Sequence, residues 1–477
     1  MASDAEADAG WRDLLREGRA PVLGLIVLAD WVIAADALVT ATIMPSVGGS
    51  LSAFAWFGWA AAGFLTGVVV AGASAGWLAE RTGLRAAMMI AGSAFMLGCV
   101  MSALAPGIAL FLLGRVLQGC AAGWLVGLIY VALAMLFPAR HLTRVFAVVT
   151  SLWGVATLAG PLIGGLFADA GLWRGVFWLF AAQAGLFTAA AAFLIPSEAA
   201  RTDGTSLPAR PLVLLGAGIV ALASAGVMAE AGRATLVAAI GIALLAGAIL
   251  DDSGRSTRVL PKQASSPFFP LRAAYLTYFA SSAAGVGFAL YGPALLQFSN
   301  GLSALEAGYV VAAEALAWTA AALAVAGAGE EWRSRLIVAG TAAILGGTVA
   351  LTLVTPTGSL IAIAAAGALL GAGFGLCYAF ISRRVIGAFD EAGRARGSSA
   401  IGVVRNAGGA VGAALAGVAA NAAGFASGVN AANFASVAAA AFAIAIPFAA
   451  VGLLAALRLT RTPATEASVQ AAAAPLR

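Results

Sequence analysis

Gly160-Pro161-Leu162-Ile163-Gly164-Gly165 lies in the middle of an apolar stretch, in a 477-residue chain that is 62% hydrophobic and 10% charged. Glycine and proline are the poorest ordinary helix formers. A membrane helix that keeps them needs close packing against a neighbour or a local bend. Gly160 and Gly164 are four residues apart and share one helix face. Pro161 removes a backbone donor. Packing alone accounts for the glycines but does not ask for the proline.

Outward from this stretch, apolar runs recur along the whole chain. Runs of roughly 17–25 residues are long enough to cross a bilayer, and this much apolar surface excludes a soluble globular protein. Spans are expected near 21–45, 54–79, 86–105, 107–137, 145–169 and 175–195. A polar linker with Glu198, Arg201, Asp203 and Arg210 follows, then two shorter runs, 212–229 and 234–250. A second linker reaches Pro270. Six more runs follow, at 273–298, 304–328, 336–355, 359–382, 398–421 and 433–457. The expectation is an all-α polytopic membrane protein of about 14 transmembrane helices. Its segments are 1–20, a cytoplasmic N-terminal piece; 21–195, a six-helix lobe; 196–270, a linker with two extra helices; 271–457, a second six-helix lobe; and 458–477, a cytoplasmic tail.

The formal charge is +5, but the arginines stand singly or in pairs between apolar runs, which excludes a nucleic-acid face. With the N-terminus in the cytoplasm, all but four of the 26 basic residues fall on the cytoplasmic side. The exceptions are Arg174 and Arg233 in outer loops, and Arg115 and Arg405 within spans. This asymmetry supports both the span map and a multi-pass orientation in a bacterial inner membrane with both termini inside. The acidic first twenty residues lack a signal-peptide pattern. Cys99, Cys120 and Cys377 show no paired spacing, and His141, the lone histidine, reads as a loop residue. No metal site is expected.

Further segments carry pattern. After the second span comes Gly76-Trp77-Leu78-Ala79-Glu80-Arg81-Thr82-Gly83-Leu84-Arg85. The fourth span contains Arg115-Val116-Leu117-Gln118-Gly119. The sixth begins at Trp173-Arg174-Gly175-Val176-Phe177, and the first span holds Asp36 and Pro45 nine residues apart. Together with the Gly160–Gly165 element, these resemble, in order and at the right span numbers, motifs of the major facilitator superfamily, in particular its fourteen-span drug:proton antiporters. Glu80 stands for the usual aspartate, Leu84 for a basic residue, and Leu38 and Ala41 for threonine and asparagine. The resemblance implies two six-helix bundles with an inserted helix pair. It also implies a cytoplasmic latch at Gly76, Glu80, Arg81, Gly83 and Arg85, and an antiporter motif at Gly160, Pro161, Gly164 and Gly165. Gly408-Gly409-Ala410-Val411-Gly412 echoes the fifth-span element in the second half, consistent with a duplicated architecture.

Four ionisable residues are candidates for proton coupling. Asp36 lies about 23 Å along its helix, near the membrane middle. Glu314 lies at similar depth, Asp30 nearer the cytoplasmic end, and Arg115 inside the fourth span. Intramembrane charges are costly and therefore usually functional; the alternative for each is a structural pairing. Trp31, Trp153, Tyr291, Trp318 and Gln118 are candidates for a substrate cavity, where aromatic faces could hold a flat cation; interfacial or lipid-facing placement is the plain alternative. Trp56, Phe57 and Trp59 read as interfacial anchors. No catalytic constellation or nucleotide-binding loop is present, so an enzyme and an ATP-driven pump are both disfavoured. The expected function is multidrug-type export of small amphipathic or cationic compounds, coupled to the proton gradient without a cofactor. Its expected partners are lipid, substrate and protons, in a monomer. The rival readings are export of a lipid, siderophore or metabolite, and a non-transporting membrane partner.

Overall fold

The computed structural model describes residues 19–197, 207–228, 230–255, 258–261, 270–389 and 391–461. Among them there is no strand, and the helices run in chain order. The first lobe comprises α1 (Ala20–Ser50), α2 (Phe57–Gly72), α3 (Ala75–Thr82), α4 (Leu84–Leu104), α5 (Ile108–Leu136), α6 (Ala139–Asp169) and α7 (Trp173–Leu194). A hairpin follows, α8 (Ala209–Ala225) and α9 (Ala231–Ser253). The second lobe comprises α10 (Pro270–Asn300), α11 (Ala304–Ala324), α12 (Glu330–Val354), α13 (Leu360–Gly387), α14 (Glu391–Ala422), α15 (Phe434–Ala443) and α16 (Ile446–Arg461). Thirteen helical segments are long and apolar enough to cross a membrane; α8, at 17 residues, is shorter.

The expected second span is two helices: it breaks at Ala73–Ser74, and α3 carries the loop motif. The last span is likewise divided into α15 and α16. His141 is not in a loop. It lies in the first turn of α6, fully buried, because that helix begins at Ala139 rather than Val145.

The two lobes repeat one packing scheme. In the first, α1 lies on α6, α2 and α4 lie on α5, and α4 and α1 meet α7. In the second, α10 lies on α14, α11 and α12 lie on α13, and α12 and α10 meet α16. The lobes join through two equivalent seams, α2 with α14 and α6 with α11. The hairpin breaks this symmetry. α8 packs on both α2 and α14, and α9 packs on α8. Only one seam is therefore covered.

Small residues make the scheme possible. A Cβ added at Gly119 would stand 2.0 Å from the Phe64 carbonyl oxygen, and one at Gly412 would stand 2.3 Å from that of Ala283. Backbones approach this closely only where side chains are absent.

Candidate functional site

Call the near face the one where α1 begins and α16 ends, and the far face its opposite. The first-lobe site lies between them. Arg115 on α5 donates through Nη1 to both carboxylate oxygens of Asp36 on α1, at 2.8 and 3.1 Å. The same nitrogen donates to Gln118 Oε1. Gln118 Nε2 donates to Ser102 Oγ on α4 at 3.1 Å. Thr40 Oγ1, one turn from Asp36, donates to it at 3.5 Å. The Arg115 guanidinium also lies over the Phe64 ring, 4.4 Å from its centroid. Asp36, Gln118 and Ser102 are 0% exposed and Arg115 is 3% exposed. Three helices thus enclose one ion pair and the two polar side chains that complete it.

Each charge is stable here only because the other is present. Desolvating an isolated carboxylate or guanidinium is expensive, and a buried pair offsets that cost through geometry and added hydrogen bonds. The glycines supply the geometry. A Cβ at Gly114 would stand 2.5 Å from Ser102 Oγ, and one at Gly98 would stand 2.9 Å from the Gln118 nitrogen. Without those two glycines α4 and α5 could not close to hydrogen-bonding distance at this level.

The second lobe holds Glu314. It is half-buried on α11, and among the described residues it has no ion pair. A Cβ at Gly371 would stand 1.8 Å from the Glu314 carbonyl oxygen, so α13 presses directly on this turn. One turn further, Trp318 stacks on Phe374 with centroids 5.0 Å apart and meets Tyr378 edge-on at 5.5 Å. Tyr278 completes the group, 4.8 Å from Tyr378.

The other expected cavity residues do not join it. Tyr291 is fully buried in an aromatic plug at the far face, 5.0 Å from Phe425 and 6.2 Å from Phe57. Trp153 is 43% exposed and lies beside Asp30, which is buried on α1. Trp31 is partly buried against the core. Gln118 faces Arg115 and Ser102. Of the residues read as interfacial anchors, Phe57 is instead fully buried in the plug, and Trp59 donates to Ser224 Oγ of α8 at 3.3 Å.

The loop motif orders the near face of the first lobe. Gly83 has φ of 79°, a left-handed value that only glycine adopts readily, and it separates α3 from α4. Arg85 Nε donates to the Ile195 carbonyl at 2.6 Å, and Arg81 stacks on Trp77, 5.1 Å from its centroid. A Cβ at Gly76 would meet nothing. Glu80, at the end of α3, has a partner of its own.

The Gly160–Gly165 element faces two ways. Cβ atoms at Gly160 and Gly164 would stand 2.6 Å from Leu38 Cβ and 2.9 Å from Thr42 Cβ, both on α1. At Gly165 the neighbour is Leu305 of the other lobe, 2.4 Å away, and Pro161 Cβ would lie 2.9 Å from a Cβ at Gly308. The element therefore packs α6 inside its lobe and seals the seam with α11.

The far half of both seams is tied by hydrogen bonds. Asp169, the last residue of α6, accepts from the Ala304 and Leu305 nitrogens at the start of α11, at 2.8 and 3.4 Å. Tyr309 donates to the Leu158 carbonyl at 3.2 Å. Asn421 at the end of α14 donates to the Ala55 and Gly226 carbonyls at 2.7 and 2.9 Å. Sequence reasoning missed Ser102, Asp169 and Asn421. The only signal was position, at helix ends or one turn from a glycine.

A family model described as Major Facilitator Superfamily matches residues 22–413. Two proteins of Mycobacterium tuberculosis, from strains CDC 1551 and H37Rv, both titled probable multidrug-efflux transporter, are 30% identical over 425 residues. The match covers 85% of this chain and 88% of each relative. Among solved structures, a D-xylose-proton symporter superposes with a TM-score of 0.65 at 17% identity, over 94% of this chain and 99% of that one. A peptide transporter in complex with sulfate gives a TM-score of 0.66 at 15% identity, over 93% and 95%. At these identities the structures speak for the fold.

Proposed function

The chain belongs to the Major Facilitator Superfamily, and from that premise we propose that it is a proton-coupled exporter of small amphipathic or cationic compounds, working by alternating access. The observation that carries this reading is the Asp36–Arg115 pair, closed on itself within the first lobe. A buried pair of opposite charges can be opened by one proton. Protonation of Asp36 neutralises it, frees Arg115 to find other partners, and changes which packing of the lobe is favoured. The two mycobacterial relatives, named as probable multidrug-efflux transporters, support the export part of this reading.

We assign the near face to the cytoplasm, on the distribution of arginine. The far-face ties then hold the cavity shut toward the outside. Substrate reaches Glu314 from the inner side, where an acid without an ion pair among the described residues and a neighbouring aromatic group suit a flat, positively charged molecule. Opening outward requires the Asp169, Tyr309 and Asn421 contacts to part as the lobes rock. Protons entering from outside then discharge the substrate and reset the pair. A membrane potential adds about 2.3 kcal/mol per charge per 100 mV to that inward step.

The experiment is substrate-induced proton release from purified protein in detergent, over a panel of organic cations, lipids and acidic metabolites. Release with organic cations that disappears in Asp36→Asn is the expected result. Binding of cations with no proton release would refute coupling, and release with lipids alone would move the substrate class.

A further inference from the structure

We propose that Ser102 is a positioning residue of the coupling pair, holding Arg115 on Asp36 through the amide of Gln118. The proposal rests on the coupling role given above to Asp36 and Arg115.

The amide has two different ends and each is used. A guanidinium has only donors, so Gln118 must turn its carbonyl oxygen toward Arg115. Its NH2 group then points the other way, into a buried region where it needs an acceptor. Ser102 Oγ is that acceptor, at 3.1 Å. With both ends fixed, the carbonyl keeps its aim on Arg115 Nη1, the nitrogen that also bridges the two Asp36 oxygens. Ser102 touches neither charge. It sits two residues from the end of α4 and is 0% exposed, as is Gln118, so neither side chain faces an open cavity.

The second lobe separates this role from the demands of the fold. Gly98 of α4 packs against the Gln118 nitrogen, and Gly347 of α12 packs against the Leu370 nitrogen in the same way. The equivalence places Leu370 at the position of Gln118 and Leu351, four residues past Gly347, at that of Ser102. Gly119 on Phe64 matches Gly371 on Glu314, which places Gly367 at the position of Arg115. Gly160 on Leu38 matches Gly408 on Phe279, which places Thr277 at that of Asp36. Leu351 and Leu370 are buried, at 2% and 1% exposure. The same helix contact therefore closes with leucines where there is no ion pair to hold. The polar pair goes with Arg115, not with the packing.

The test compares Ser102→Ala and Ser102→Thr with the parent protein in infrared spectra of the Asp36 carboxylate, the band being identified by its loss in Asp36→Asn. Ser102→Ala is expected to shift the band and to lower substrate-induced proton release about tenfold, the weight of one bond lost from a buried network. Substrate affinity is expected to stay within a factor of about two, as a group outside the cavity requires. Ser102→Thr, which keeps the hydroxyl, is expected to restore both. If the alanine variant is too unstable to purify, Ser102→Cys, of similar volume and with a weaker acceptor, should give an intermediate shift. An unmoved Asp36 band in the alanine or cysteine variant overturns the proposal. So does a threonine variant that is as stable as the parent yet restores nothing. A shifted band in a protein whose proton release does not depend on Asp36 would retire the coupling role while leaving the positioning intact.

Discussion

In the first lobe, Gly119 and Gly123 of α5 press against Phe64 and Val68 of α2; in the second, Gly371 and Gly375 of α13 press against Glu314 and Trp318 of α11. The backbones meet in the same register. The side chains do not match. Where the first lobe has an acid, a base and a phenylalanine under the base, the second has a threonine, a glycine and an acid. The first lobe closes its charges on each other, and the second, among the described residues, leaves Glu314 without an ion pair. On the function proposed above, one scaffold hosts a switch on one side and a docking position on the other.

The largest effect is expected at Asp36. Asp36→Asn should reduce proton-driven export to background. It should also lower stability, because it strands Arg115 in an apolar interior at a cost of about 3–5 kcal/mol. Arg115→Gln in the same chain should recover the thermal midpoint without recovering export. Export by the single variant with unchanged proton dependence would leave the pair a structural role only.

Next come the glycines that the lobes share. Gly412→Leu should lower the thermal midpoint more than Gly164→Leu. The added Cβ would meet the Ala283 carbonyl oxygen at 2.3 Å in the first case and the Thr42 side chain at 2.9 Å in the second. Overpacking of this kind costs about 1–3 kcal/mol or more when backbone must move. Equal shifts would mean that the two lobes yield alike, against the contacts.

Glu314→Gln tests the other half of the comparison. Export of cations should fall about tenfold, the scale of one charged hydrogen bond, while proton release driven by neutral substrates persists. Loss of all proton release would give Glu314 a share in coupling and blur the division.

The smallest effect is expected at the far seam. Asp169→Asn removes a negative charge from the start of α11 and should favour the far-open state about two- to fivefold. Thiol labelling of Gly301→Cys from outside intact cells, compared with and without the substitution, would read both the population and the side of the membrane.

Much of the fold was legible because it depends on quantities a sequence carries directly: run length, apolarity and the sidedness of arginine. The glycines of the fifth-span element also announced a close contact, and Gly160 and Gly164 do share a face against α1. Pairing was harder. Asp36 and Arg115 are 79 positions apart, and whether they meet depends on how α1 and α5 are rotated about their axes. That rotation is set by glycines on α2, α4 and α5, of which only Gly114 stands next to a charge in the sequence. The surroundings of Tyr291 were hidden for the same reason: an aromatic in a span can face substrate, lipid or the opposite lobe, and hydropathy is identical in all three. Residues 1–18 and 462–477, with Lys262 and most of the linkers, lie outside the described residues.

One helix of the hairpin that covers the α2–α14 seam is shorter than a bilayer is thick. With 17 residues, α8 is about 26 Å long, against about 30 Å of hydrocarbon in an ordinary bilayer. Lipid beside it must thin or the helix must shift, at fractions of a kcal/mol per ångström of mismatch. Because α8 leans on both lobes at once, such a strain would bear on the α2–α14 joint and not on the α6–α11 joint. Thick and thin membranes would then load the two sides of the same transporter unequally.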